Sequence, residues 1–204
     1  MAKARRVRGI KPGKGLRENA QRVISVRLAE MLSWQGALED PGQVVELHNM
    51  RIAAKRLRYA LEIFDVCFPD SKDVLQEVTG IQEDLGDIHD LDVLIDLLKS
   101  RLHAREAEVE RRAIDIMASD IAAAGRTHQL RQLLYAQARD RRRIGLLGLI
   151  GDKSAERSRR FERFRGRWSD GRLNDLRRQI QQVTNPESLE KAPETVDATL
   201  SQMG

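Results

Sequence analysis

Apolar residues in this chain recur at intervals of three and four, and no long window shows strict alternation. That spacing gathers side chains on one stripe of a helix and argues against a sheet of half-buried strands. Punctuation is sparse, with five prolines and 14 glycines in 204 residues. The expected fold class is therefore all-α, helices packed as antiparallel bundles.

A first helix is predicted over 16–38, with Leu16, Ala20, Val23, Met31, Trp34 and Leu38 in one stripe and Asp40-Pro41-Gly42 as its stop. Arg27 falls inside that stripe, either as an interior cation or as a core-edge arginine that pairs with an acid and reaches outward. A second helix is predicted over about 44–67. Phe68-Pro69 ends it, and Asp70 or Ser71 is placed to cap a third helix reaching about Leu85. Gly86 reads as a left-handed stop, with Asp87 as the cap of a fourth helix and Asp90 in capping-box register. The stretch 88–124 lacks proline and glycine and permits a rod of about 55 Å at about 1.5 Å per residue. Gly125 is predicted to close it. Further helices are predicted over 127–150, frayed near Gly145 and Gly148, and over 155–168, with Phe161, Phe164 and Trp168 on one face. Leu173, Leu176, Ile180 and Val183 mark a last short helix, and residues 184–204 read as a poorly ordered polar tail.

Cys67 is the only cysteine, so no intrachain disulfide can form and a reducing compartment, the cytoplasm, is expected. The longest apolar run, 144–150, holds two glycines and falls far short of the roughly 20 residues of a membrane span. Residues 1–15 form a basic arm. Lys3, Arg5, Arg6, Arg8, Lys11 and Lys14 are followed by no apolar segment, so the arm does not read as a secretory signal. Thirty-six basic residues oppose 31 acidic ones, and 28 of the 36 are arginine. Arginine's planar, permanently charged fork suits phosphate and carboxylate, so the composition favours an anionic partner. Eight aromatics, mostly at core spacing, argue against a reader of single-stranded nucleic acid, which needs stacking platforms.

The second helix carries the strongest signal. With Leu47 at zero and 100° per residue, Leu47, Met50, Ala54, Leu57, Leu61 and Phe64 fall between about 260° and 360° and form the core face. His48, Arg51, Lys55 and Arg58 form a cationic stripe beside it, and Ile52, Tyr59 and Ile63 lie beyond. Apolar strips on both sides suggest a groove and not open water. Stacked cations in such a place repel unless something negative compensates them. Either an anion does so, or acids such as Glu46, Glu62, Asp90 and Asp92 close salt bridges with the stripe.

Residues 47–62, Leu-His-Asn-Met-Arg-Ile-Ala-Ala-Lys-Arg-Leu-Arg-Tyr-Ala-Leu-Glu, followed by 85–93, Leu-Gly-Asp-Ile-His-Asp-Leu-Asp-Val, resemble the CHAD family, the conserved-histidine α-helical domain. The resemblance covers about 16–98. It implies two related four-helix bundles about a pseudo-twofold axis, with basic residues lining a central pore or groove whose ligand is inorganic polyphosphate. Position by position, His48, Arg51, Lys55, Arg56 and Arg58 match the family's basic motif and become the expected phosphate-contacting set. The wheel supports four of these and projects Arg56 at about 180°, towards a rim, a partner or a salt bridge. Arg27 joins the set if it points at the same groove.

The chain departs from the family pattern in its second half, where a second basic motif is expected. Only two remnants stand there: His128-Gln129-Leu130-Arg131, with Tyr135 where Lys55 would align, and Asn174-Asp175-Leu176-Arg177, which lacks the histidine. The expected domain is thus CHAD-like over 16–183. A clear first half spans about 16–104, and a degenerate or shortened second spans about 105–183. The groove is then lined by one bundle or completed by a second subunit, a homodimer.

Other clusters carry weaker signals. The arginines of 139–143 and 157–167 read as solvated faces or as landing zones for a polyanion. Asp87, Asp90 and Asp92 near His89 invite a metal reading, but a helix N-terminus already explains two of them and no zinc spacing is present. No phosphate-cradling glycine loop or nucleophile arrangement appears, so no cofactor, metal or catalytic residue is expected. The reading is a non-catalytic, cytoplasmic polyphosphate-binding module, of a kind that can associate with polyphosphate or storage granules, with no membrane and no sequence-specific nucleic-acid partner. Two rivals are a granule-associated scaffold for other polyanions and a metal-dependent phosphoanhydride hydrolase.

Overall fold

The computed structural model describes residues 3–185, and the polar tail expected after 183 lies almost wholly outside them. Within them the protein is all-helical and without strands. Six helices follow in order: α1 Leu16–Leu32, α2 Val44–Ile63, α3 Lys72–Ala118, α4 Ala123–Ala138, α5 Arg141–Arg167 and α6 Asp170–Thr184. Short 3₁₀ turns at Gln35–Leu38, Asp65–Cys67 and Pro69–Ser71 join the first three.

One apolar core unites α1, α2, the first part of α3, the end of α5 and α6. Ile24, Leu28 and Met31 of α1 meet Met50, Leu57 and Leu61 of α2, and Val78, Ile81 and Leu85 of α3. Phe161, Phe164, Leu173 and Ile180 close it from the far end of the sequence. The core thus draws on both sides of residue 104. Each fully buried large side chain contributes about 1.5–3 kcal/mol over its exposed state. The packing therefore fixes helices whose intrinsic propensity alone would not hold them.

A row of ion pairs aligns α3 with α5 and α6. Arg157 Nε is 2.9 Å from Asp92, Arg160 binds Asp87, Arg167 is 3.0 Å from Asp84, and Arg172 is 2.7 Å from Glu77. Partner numbers rise on α3 as they fall on α5 and α6, the signature of antiparallel packing. Trp168 joins the same seam. Its ring edge sits 3.6 Å from where a Cβ on Gly80 would lie, and its Nε1 donates to Asp84.

Several element limits differ from the sequence expectations. The first helix stops at Leu32, where Ser33 Oγ donates back to the Glu30 carbonyl and the chain tightens into a 3₁₀ turn. α2 ends at Ile63 and not at Cys67. The most consequential correction concerns Gly86, which does not stop a helix: α3 is one rod of 47 residues, and Asp87 is an interior residue bound to Arg160, not a cap. Leu85 and Ile88 are buried on either side of the glycine, and that burial outweighs its helix penalty of about 1 kcal/mol. α3 ends at Ala118, and Gly125 stands in the first turn of α4 instead of closing α3. The break expected near Gly145 and Gly148 falls instead at Arg139–Asp140, where Asp140 caps α5 by accepting from Arg142 N–H at 2.9 Å.

The arm before α1 lies along that helix without regular structure. Asn19 holds the backbone of Lys11 and Lys14, and Arg27 Nη1 donates to the Arg5 carbonyl at 3.0 Å.

Candidate functional site

α2 buries Leu47, Met50, Ala54, Leu57 and Leu61 against its neighbours, and beside that face His48, Arg51, Lys55 and Arg58 stand half-buried. The row runs along the junction with α3. Its first member meets α3 directly: the His48 and His89 rings lie with centroids 4.6 Å apart and planes tilted by 44°. The antiparallel register follows from that contact. Each turn towards the end of α2 is met by one towards the start of α3, so Gly86 stands near the level of Arg51 and Gln82 near that of Lys55. A Cβ on Gly86 would have nothing within 4 Å, so α3 leaves open space at that level.

Polar atoms along the row are incompletely satisfied. His48 Nδ1, Arg51 Nε, Arg58 Nε and Gln82 Oε1 are shielded from solvent and have no hydrogen-bond partner among the described residues. Such atoms are ordinarily paired. Tyr59 provides a ring face to two cations, with Arg58 Cζ 4.9 Å and Lys55 Nζ 5.6 Å from its centroid.

Of the four acids that could have neutralised the row, only Glu62 does so, 3.1 Å from Arg58. Asp92 is taken by Arg157 of α5, and Glu46 and Asp90 form no ion pair with the row among the described residues. Arg51 and Lys55 therefore have no carboxylate partner among the described residues. His48 titrates below the ordinary histidine range, first because burial disfavours its charged form and then because His89 and Arg51 add positive charge nearby.

Arg27 and Arg56 belong to a different place. Both guanidinium groups close on Glu30, which is 2% exposed on α1: Arg27 Nη1 stands 2.7 Å from one carboxylate oxygen and Arg56 binds the other. Arg56 leaves α2 on the side away from the row, as its wheel position implies, and the buried carboxylate there sets its direction. The structure thus brings His48, Arg51, Lys55 and Arg58 together and holds Arg27 and Arg56 apart from them.

His89 was missed as a member of the row. Its signal was available in the short connection 64–71, which forces α2 and α3 antiparallel and sets residue 48 opposite residue 89. The two motif remnants give no comparable grouping. His128 is exposed on α4 beside Gln132, and Asn174 and Arg177 are exposed on α6. The arginines of 157–167 are partly spent on the α3 seam. Among those of 139–143, Arg139 lies over Tyr135 and Arg143 is 3.7 Å from Glu106. Among the described residues, no three His, Cys, Asp or Glu side chains converge as metal ligands, and no helix is long and apolar enough to cross a membrane.

These features define an all-helical protein with a half-buried cationic row at a helix junction. The family model of the CHAD domain matches residues 3–99, which take in the basic arm, α1, α2 and the first part of α3. Over that segment, just under half of its length, the chain is similar to the CHAD family. No curated protein and no solved structure matches the chain.

Proposed function

We propose that this protein binds inorganic polyphosphate, without catalysis, along the groove between α2 and α3. The observation that carries the reading is the pair Arg51 and Lys55, half-buried cations without a carboxylate partner among the described residues, beside the shielded and unsatisfied Nε donors of Arg51 and Arg58. The match to the CHAD domain over residues 3–99 supports the choice of ligand. A chain of phosphates offers an oxygen acceptor at every repeat and no base to read, which matches repeated cations on successive helical turns. Arg51, Lys55 and Arg58 supply charge-assisted contacts and His48 a donor. Free arginines elsewhere raise the encounter rate of a long polyanion without choosing it.

The test is a titration with polyphosphates of several lengths at two ionic strengths, with released phosphate followed in magnesium or manganese. Affinity is expected to fall steeply with salt, as counterion release requires. In the combined variant Arg51→Gln, Lys55→Gln, Arg58→Gln, binding is expected to vanish while helicity by circular dichroism stays. Retained binding in that folded variant overturns the groove assignment. Released phosphate overturns the non-catalytic reading, and equal competition by duplex DNA at matched charge overturns the choice of polyphosphate.

A further inference from the structure

The far end of the molecule is built without a core. α3 buries its last side chain at Leu102, α5 its first at Arg157, and α4 between them buries none. Yet Ile114, Met117, Leu134, Ile144, Leu147 and Leu149 stand there, each 40–59% exposed. A soluble monomer scatters such residues singly, and gathered on one end of three helices they mark an interaction surface.

That surface includes the stretch 144–151, Ile-Gly-Leu-Leu-Gly-Leu-Ile-Gly. The stretch carries no charge in a chain that is 33% charged, and it lies between Arg141, Arg142, Arg143 and Asp152, Lys153. Leu146 and Ile150 are half-buried, whereas Ile144 and Leu147 are exposed. Three glycines in eight residues weaken an isolated helix, so its continuity here calls for cover. At Gly145, Gly148 and Gly151 a Cβ would meet nothing within 4 Å, which leaves room for a second helix to approach closely. Alongside, a cavity of about 790 Å³ opens between α3 and the α4–α5 elbow, floored by Ala104, Val109, Leu146 and Leu149.

Charge complementarity selects the occupant. At the end of α3 and just beyond it, Glu110, Asp115 and Asp120 make no ion pair among the described residues. On α4 and the elbow, the side chains of Arg131, Arg141 and Arg142 make none either. One surface therefore holds both halves of a complementary set, as a two-fold contact between identical chains requires. We propose that a second copy of this chain packs on this end, the exposed apolar residues of the uncharged stretch within the contact and the acidic end of each α3 against the basic elbow of the other. The pairing does not depend on the groove along α2.

The test is sedimentation velocity of the full chain over a wide concentration range, for the wild type and for the variant Ile144→Ser, Leu147→Ser. Both substituted residues are exposed, so the fold is expected to survive. A wild-type dimer that becomes monomeric in the variant, with unchanged circular dichroism, is the expected result. A wild type that stays monomeric at the highest concentration overturns the proposal, as does a dimer that persists in the variant. Should the variant fail to fold, hydrogen exchange of the wild type decides: amide protection in 144–151 is expected to weaken on dilution, and protection independent of concentration overturns the pairing. Polyphosphate titration of the same samples reads the groove separately.

Discussion

The imidazole of His48 on α2 rests against that of His89 on α3, 4.6 Å between ring centroids, at one end of the row formed by Arg51, Lys55 and Arg58. Two residues 41 positions apart meet because α2 and α3 are joined by a tight connection and run antiparallel. The contact sets a titratable pair beside a permanent charge. Burial first, and then the positive charge that His89 and Arg51 add nearby, makes His48 hold its proton less readily than a solvated histidine.

The sign of the resulting pH dependence follows from linkage. His48 has its folded pKa lowered, so as pH falls the unfolded chain takes up the proton first. Its contribution to stability is complete above about 6.5 and is lost as pH falls towards the folded value. The melting temperature of the free protein is expected to drop between about pH 7.5 and about pH 5.5 more steeply than that of His48→Gln. Parallel curves would show that the pair is uncoupled from folding. A phosphate chain in the groove favours the imidazolium, so binding is expected to take up protons and to tighten as pH falls. Calorimetry in buffers of different ionisation enthalpy measures that uptake.

Glu30 anchors the opposite side of α2. It is buried and bound by both Arg27 and Arg56, so Glu30→Gln leaves two guanidinium groups facing a neutral amide. The expected loss is roughly 1–3 kcal/mol, less than for a fully buried pair because both arginines remain partly in solvent. Chemical denaturation checks it. Polyphosphate affinity at the same salt is expected to stay unchanged, because the triad lies apart from the row. A variant that keeps its stability but loses binding would return Arg27 and Arg56 to the ligand set.

Gly86 offers a gain. It sits inside α3 in helical conformation, and a Cβ there would have nothing within 4 Å. Gly86→Ala is therefore expected to raise stability by about 0.5–1 kcal/mol, through lower backbone entropy in the unfolded chain. Unfolding in urea measures the change, and a destabilised variant would mean that the open space at this level is occupied in solution.

Gly86 also shows where the sequence was legible and where it was not. The spacing of three and four along α2 predicts the buried face and the cationic row beside it, because both depend only on helical geometry within one element. The run through Gly86 depends on long-range burial of Leu85 and Ile88 and on the tie between Asp87 and Arg160, none of which a local turn signal contains. The same holds for Asp92. Part of the segment 85–93 that follows the basic motif, it belongs in space to an arginine 65 residues away. Arg56 was readable as an outlier from its angle alone, but its partner Glu30, on another helix, was not.

The seam between α3 and α5 provides a contrast between two ion pairs of similar chemistry. Arg157 is 8% exposed, donates to Asp92 through Nε at 2.9 Å and lies with its Cζ 5.7 Å from the centroid of the Phe161 ring. Asp92→Asn keeps the shape and removes the compensating charge, so a cost of roughly 2–3 kcal/mol is expected. The Arg172–Glu77 pair lies nearer solvent on its arginine side, and Glu77→Gln is expected to cost less than about 1 kcal/mol. Combining Asp92→Leu with Arg157→Met, which replaces the whole pair by apolar groups, is expected to recover most of the loss of Asp92→Asn. Denaturation midpoints of the four proteins decide the matter. Equal costs for Asp92→Asn and Glu77→Gln would mean that the Arg157 guanidinium reaches water, and that the seam aligns the helices without depending on burial.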